Sequence, residues 1–565
     1  MTKRNPFFCS FLFLFIITLV SCGGGGGSDG SSTDTPAISN PVTLSGTATF
    51  DFVPRQASSP FGLDYENIEA RPIRGATVEI LSTSGEVVAS TETDGSGDYS
   101  AIIDGDQNVM LRVKAELLRD GTAFWDFAVS DNTNNNAVYV MDGSLAAIGQ
   151  NNQTRDLHAP ADWNFPGYSP GRRAAPFAIL DTVYQILEKF VEIDPNIQFP
   201  PAEFRWSENN TTESGDFSLG QIGSSLYLPI GFGNPGEGNV FILGEENADT
   251  DEYDPHVIVH EWGHYFEDQL SRSDSIGGAH GLPSILDMRV AFSEGWGNAL
   301  SAIILDDPIY IDVMDEFQSS AFGFNIEAGT SNQGWYSESS THSIIYDIYD
   351  ENSDGADFLS LGLGPIYESL IAPEFVEQGT LTSIFSFSSQ LMNDNPADAA
   401  DIDGLLTGQN ISGRGFDGQG ETDNGGAPEA LPVYQSVIVN GPPVEVCSDR
   451  PNGEQNRLGN HLFVLVDLPS PGTYTFRAER VSGLLEADPD VVVYGPFPPD
   501  GEEVTGFVCG SFDLGDVESM TCPGLFAGEH VLDVFEFGNV DDPDITDSID
   551  DGTGGFVCFD VTVTD

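Results

Sequence analysis

Basic side chains are scarce in this chain: 20 Lys and Arg stand against 89 Asp and Glu over 565 residues, a formal net charge of −69. Such a surface repels phosphate backbones and anionic headgroups, so nucleic-acid binding is the first class excluded. The plain reading of so much acid is a well-hydrated, salt-tolerant surface with Asp-rich loops free to take up calcium. Cysteine is sparse too: after Cys9 and Cys22 none occurs until Cys447, Cys509, Cys522 and Cys558. No CxxC pair is present, which argues against a zinc ribbon. In an exported chain the late four predict two disulfides, and the sequence does not choose among the three possible pairings. Beyond the N-terminus no segment is apolar enough to span a membrane. Histidine is rare, 8 residues in all, so any pair at a meaningful spacing carries weight.

The N-terminal stretch MTKRNPFFCSFLFLFIITLVSC places Lys3 and Arg4 before an apolar run from Phe7 to Val20, too short to cross a bilayer. Residues 1–22 read as a signal peptide. Its ending, Leu19-Val20-Ser21-Cys22, resembles the bacterial lipobox, which implies that Cys22 is lipidated. The Gly/Ser-rich linker over 23–42 supplies the slack a tether needs. The expected location is the bacterial cell envelope, as an outer-membrane lipoprotein, or the extracellular space. Membrane contact is expected through the lipid anchor only.

Residues 43–150 alternate apolar and polar side chains between turn signals and predict a small β-sandwich. The run PIRGATVEILSTSGEVVASTETDGSGDYSAII resembles the transthyretin-like regulatory domain, which implies an accessory role. Over 160–407 the pattern predicts helices at 174–193, 254–270, 287–305, 340–349 and 380–393, with two short extended runs, SLYLPI and NVFILG. A Gly/Asn/Asp-rich linker follows at 408–430. Residues 431–565 return to strands and hold all four late cysteines; FVLVDLPSPGTYTFRAERVSGLLEADPDVVVYG is similar to the pre-peptidase C-terminal domain. The expected fold class is multidomain, a mostly helical α+β core flanked by two β-sandwich domains.

The chemistry lies in DPHVIVHEWGHYFED, residues 254–268. Asp254 and Pro255 read as N-cap and first helical position. On a helix His260 and His264, four apart, converge on one metal-sized point, and Glu261 leans over the space where an activated water would sit. Two ordinary buried histidines would give the same spacing, and a third ligand separates the readings. A metzincin-type ligand set needs a glycine at 267 and a histidine at 270, where this chain has Glu267 and Leu270, so that class is excluded. Glu294 sits in AFSEGWGNALSAIIL, a helix so apolar that an unpaired carboxylate there would be costly. HEWGH followed by SEGWGNAL resembles the glutamate-zinc metallopeptidases, and the fungalysin-type group more than thermolysin. That resemblance implies Zn(2+) held by His260, His264 and Glu294 in a zinc-peptidase core, with Glu261 as general base acting on a protein or peptide substrate.

The chain departs from that family where Asn298 stands in place of an aspartate orienting the first histidine; an amide oxygen still accepts the bond but brings no charge. Downstream, His342 opens a predicted helix and is the first candidate for steadying the oxyanion, with Tyr336 and Tyr346 as alternatives. His256 faces away by helical spacing, and His280, in the Gly-rich IGGAHG, reads as a loop residue, with contact to substrate as the alternative. Asp350, Asn352 and Asp354 alternate before Gly355 as in a Ca(2+) loop, without the closing glutamate. DTDEYD at 249–254 is the second acidic run that could hold calcium, but being shorter it reads as a solvated turn and helix cap. The chain is thus expected to be an exported, lipid-anchored zinc metallopeptidase; the alternative is a non-enzymatic surface lipoprotein for adhesion or matrix binding that keeps the fold. Oligomeric state is not legible.

Overall fold

The computed structural model describes residue 38 and residues 40–229, 238–328, 332–351, 359–453, 455–495, 507–540 and 554–565. The predicted leader with Cys22, and the Asn352 and Asp354 of the candidate calcium loop, lie outside them.

The strand Pro41–Phe52 buries every second side chain, the period-two signature of a sheet with one covered face. It pairs antiparallel with Asp98–Asp104 and parallel with Leu157–Ala159. Opposite it runs a larger sheet whose main path is 226–228, 238–242, 202–206, 125–131, 108–119, 76–82, 87–92. The strand Ala202–Trp206 lies parallel to Trp125–Asp131, with Phe204 opposite Val129, and parallel to Gly238–Ile242 on its other side. A parallel pair needs a crossover, and helix α1, Ala175–Ile193, provides it.

That sheet corrects the expected fold class. Among the described residues strand exceeds helix, 37% against 23%, so the chain is mostly β and has no mostly helical α+β core. Nor does the first sandwich merely flank the middle segment. The two share one sheet, and a single apolar core runs from Val42 through Ile258 to Val531. The physical reason is range. The run 202–206 is too short to declare itself locally, and NVFILG, legible as extended, does not show its partners; both take their place in the sheet by pairing with strands far away in sequence.

Three helices sit on this frame: α2, Pro255–Leu270; α3, Met288–Leu305; and α4, Glu338–Tyr349. In α3 every residue from Met288 to Ile304 is buried, as expected of a helix apolar all round. Asp287 caps it by accepting the Arg289 N–H. Asp254 holds the N-cap position of α2 with Pro255 next, but its carboxylate accepts the Val313 N–H at 2.8 Å instead of a helix N–H.

The 408–430 segment is packed against the helices: Ile411 and Ala427 are buried, and the Trp335 indole donates to the Asp423 carbonyl at 2.8 Å. Beyond it, a five-stranded and a four-stranded sheet enclose a second core of Val464, Phe476, Val491 and Phe559. The disulfides are Cys447–Cys558, between neighbouring strands of one sheet, and Cys509–Cys522, which joins the two sheets. Such bonds fit an extracellular or envelope protein. No helix among the described residues is long and apolar enough to cross a membrane.

Candidate metal centre

Two glycines let α2 and α3 meet closely. A Cβ on Gly263 would stand 3.1 Å from the Gly297 Cα, and one on Gly297 would stand 2.9 Å from the His260 Nδ1. Across this contact His260 and His264 of α2 face Glu294 of α3, and all three are at least half-buried. His260 Nε2 lies 3.1 Å from Glu294 Oε2, His264 Nε2 3.5 Å from the same oxygen, and the two Nε2 atoms are 3.2 Å apart.

Each ring is held by its other nitrogen. His260 Nδ1 is 3.1 Å from Asn298 Oδ1, so the amide oxygen takes the orienting bond. His264 Nδ1 is 3.0 Å from Ser293 Oγ, and that hydroxyl donates onward to Glu267. With Nδ1 as donor in both rings, both Nε2 lone pairs are left pointing inward. Three acceptors therefore converge on one point.

The same space attracts positive charge, whether from a cation or from protons. Burial would raise the Glu294 pKa, yet His264 and His280 outweigh it and hold the carboxyl well below its ordinary range. Burial likewise opposes charge on His264, and Glu294 and Glu267 overcome it to hold that ring well above the usual imidazole value. The pocket favours a carboxylate anion and gathers positive charge beside it.

Glu261 follows His260 on α2 and is buried, with no hydrogen bond to its carboxylate from the described residues. Its charge acts on His264 and on Tyr310. His280, the expected loop residue, reaches the cluster: its Nε2 is 3.3 Å from Glu294 Oε2 and its Nδ1 3.0 Å from Glu338 Oε2. Burial would lower its pKa, but these two carboxylates prevail and push it up to about 9. Its side chain is 36% exposed, which leaves it the most open member of the group.

The other candidates sit elsewhere. His342 is 1% exposed, stacked on Phe324 with centroids 5.5 Å apart, and burial alone pushes it down to about 3. Phe324 stacks in turn on Tyr310, whose ring is 6.3 Å from that of His260, so His342 is third in a stack beside the cluster. Tyr336 donates to Asp423 at 3.1 Å, and Tyr346 packs beside Tyr349. Asp350, the described member of the candidate calcium loop, ends α4. His256 is a neutral core residue bonded to Ser301 Oγ at 3.2 Å, and burial pushes it down to about 3.

Sequence reasoning passed over Ser293 and the supporting role of Glu267, and it placed His280 in a loop without linking it to the cluster. Glu267 lies three residues after His264, a spacing that places both on one helix face. His280 lies in a Gly-rich loop without periodicity, so nothing local marks it.

The residues present fit a zinc ion by donor type: two imidazoles and a carboxylate, each imidazole backed by an oxygen acceptor. No family model matches the chain, and no curated protein matches it. Similar solved structures include the pre-peptidase C-terminal domain of a collagenase from Bacillus anthracis, 8% identical over 23% of this chain and 93% of that one, TM-score 0.15. Others are CorA, a surface-associated copper-binding protein of Methylomicrobium album BG8 (10% identical, 23% and 98% covered, TM-score 0.16), and the K3 cleaved adhesin domain of Lys-gingipain from Porphyromonas gingivalis (17%, 22% and 74%, TM-score 0.14). These likenesses reach less than a quarter of the chain and do not bear on the metal centre.

Proposed function

We propose that this chain is a zinc-dependent metallopeptidase that hydrolyses peptide bonds in a protein or peptide substrate. The observation that supports it best is the spacing of the three inward donors. Zinc at about 2.05 Å from each of four tetrahedral ligands puts neighbouring ligand atoms about 3.3 Å apart, and the donors here stand 3.1, 3.2 and 3.5 Å from one another. Three acceptors that close repel unless a cation or protons lie between them.

In this reading His260, His264 and Glu294 hold the ion, and Asn298 and Ser293 fix the ring orientations. When bound, zinc supplies Lewis acidity, which makes water acidic enough to attack at neutral pH and polarises a carbonyl. Glu261, whose carboxylate is uncommitted among the described residues, takes the proton from the attacking water and passes it to the leaving amine. His280, whose Nδ1 rests on Glu338 at 3.0 Å, donates a hydrogen bond from its other ring nitrogen to the developing oxyanion. The strand Leu226–Leu228 lies at the edge of the large sheet, and Tyr227 bonds to Asp268 of α2, so it offers an edge along which an extended peptide can pair near the metal helix.

The test is metal analysis of the purified protein with hydrolysis of casein or a quenched peptide. We expect one tightly held zinc in wild type and in Glu261→Ala, with activity in wild type only; Glu294→Ala should lose zinc. Equal hydrolysis by wild type and Glu261→Ala would reject the base, and zinc binding without hydrolysis of any peptide would favour a surface protein that keeps the site without the reaction.

A further inference from the structure

The acidic run ahead of α2 is not a solvated turn. Thr250, Asp251 and Asp254 are at most 3% exposed. The short strand Asp249–Thr250 pairs with Ile309–Met314, Asp249 opposite Met314, and this brings Asp312 across to the run. One oxygen from each of Asp249, Asp251 and Asp312 lies within 4.8 Å of the others. In all three side chains Oδ1 is fully buried and has no hydrogen-bond partner, and the Thr250 hydroxyl is equally orphaned. The partners that exist serve the other oxygens or other residues: Ser225 donates to Asp251 Oδ2, and Val313 N–H donates to Asp254. Arg172 is committed to Glu252 at 3.0 Å. Among the described residues no Lys or Arg pairs with any of the three.

An isolated buried carboxylate is costly, and three facing each other are costlier still. Buried oxygens without hydrogen-bond partners, gathered at one point, favour positive charge between them, supplied by a cation or by a shared proton. From this geometry we infer that Asp249, Asp251 and Asp312 bind a calcium ion that pins the start of α2 to the strand Ile309–Met314. The donor set is all hard oxygen, with no histidine or available thiol, which selects calcium over zinc or copper. Burial pushes Asp312 up to about 7, with Asp249 adding to the effect, and pushes Asp249 up to about 6, a measure of how unwelcome the bare charges are. The ion is distinct from the zinc cluster. It acts on it by position, because Tyr310 of the same strand stands with its ring 5.4 Å from His256 and 6.3 Å from His260. The inference does not depend on peptidase activity.

The experiment uses the purified full chain, kept in one equivalent of zinc and passed through calcium-free buffer, and reads bound calcium by mass spectrometry and the midpoint of thermal unfolding against added calcium. Wild type should bind one calcium that Asp251→Asn and Asp312→Asn each lack, and its midpoint should rise by several degrees with millimolar calcium while theirs do not move. Each variant removes a buried charge, so in calcium-free buffer it should unfold no lower than calcium-free wild type. Asp350→Asn should keep the wild-type response. A wild-type midpoint indifferent to calcium, an unchanged response in both cluster variants, or loss of the response in Asp350→Asn would overturn the assignment. Zinc content is read in the same samples, so a failed zinc site and a failed calcium site give separate results.

Discussion

At the metal cluster each side chain takes its role from its second contact. His264 rests on Ser293 and through it on the carboxylate of Glu267, whereas His260 rests on the neutral amide of Asn298. The two rings are therefore unequal donors, with His264 the more basic. His280 meets two carboxylates and is open enough to reach a substrate, whereas His342, stacked on Phe324 and 1% exposed, is closed off from one. We predict that His280→Ala lowers kcat by roughly 10²- to 10³-fold with zinc content unchanged. His342→Phe, which keeps the ring stack, should leave kcat within a few-fold. Steady-state kinetics on one quenched peptide, with zinc analysis of the same samples, distinguishes them, and the reverse order would return the role to His342. The convergence of His260 and His264 was readable because helical spacing is a local property, while Glu294 was indicated by the apolar helix around it and by the family resemblance. His280 was not, because a loop carries no period to say what it faces.

At the scale of elements, the α2–α3 contact decides whether three ligands share a point. Gly263 and Gly297 let the helices approach closely at the crossing, and a Cβ on Gly297 would stand 2.9 Å from the His260 Nδ1. We predict that Gly297→Ala costs about 1–3 kcal/mol in stability and lowers zinc occupancy, since the displaced ring can no longer share Glu294; isothermal titration with zinc and urea unfolding check both. All three cluster helices were legible: expected spans of 254–270, 287–305 and 340–349 became 255–270, 288–305 and 338–349. Helices at 363–370 and 399–408 escaped notice because they are short and little of their pattern repeats. The Asp-rich run at 249–254 was misjudged for a related reason. Composition assigns acid to water, and only the opposing strand shows that these acids are inside.

At the scale of the whole molecule, the C-terminal sandwich is tied to the metal helix by buried charge. Arg289 of α3, 0% exposed, donates to Asp287 at 2.9 Å and to Asp533 of the sandwich at 3.0 Å, and His461 Nδ1 lies 2.9 Å from Asp533. Burial opposes the Asp533 charge, but His461 and Arg289 hold its carboxyl below the ordinary range. The sandwich also steadies the loop bearing His280, since Asn456 and Arg457 both donate to the Ala279 carbonyl. Removing one partner leaves an uncompensated buried charge, so Asp533→Ala should destabilise the chain by about 3–5 kcal/mol. The loss should appear in urea unfolding followed by tryptophan fluorescence, whose six probes all precede the C-terminal sandwich, and also in far-UV dichroism, to which the sandwich strands contribute. A change confined to the sandwich would mean that the two halves unfold independently.

By itself the sequence determined what rests on neighbours in the chain: the acidic composition, the period-two strands at each end, the helices of the cluster, and the placing of two histidines and a glutamate on helical stretches. Those features follow from side-chain chemistry and from the fixed periods of helix and strand, which any short window contains. The tertiary structure alone decided that strands 125–131 and 202–206 share a sheet, that Cys447 pairs with Cys558, that His280 faces Glu294, and that Asp312 closes on Asp249 and Asp251. Each of these joins segments that adopt their geometry only by burying surface against one another, and that long-range choice has no local signature to read.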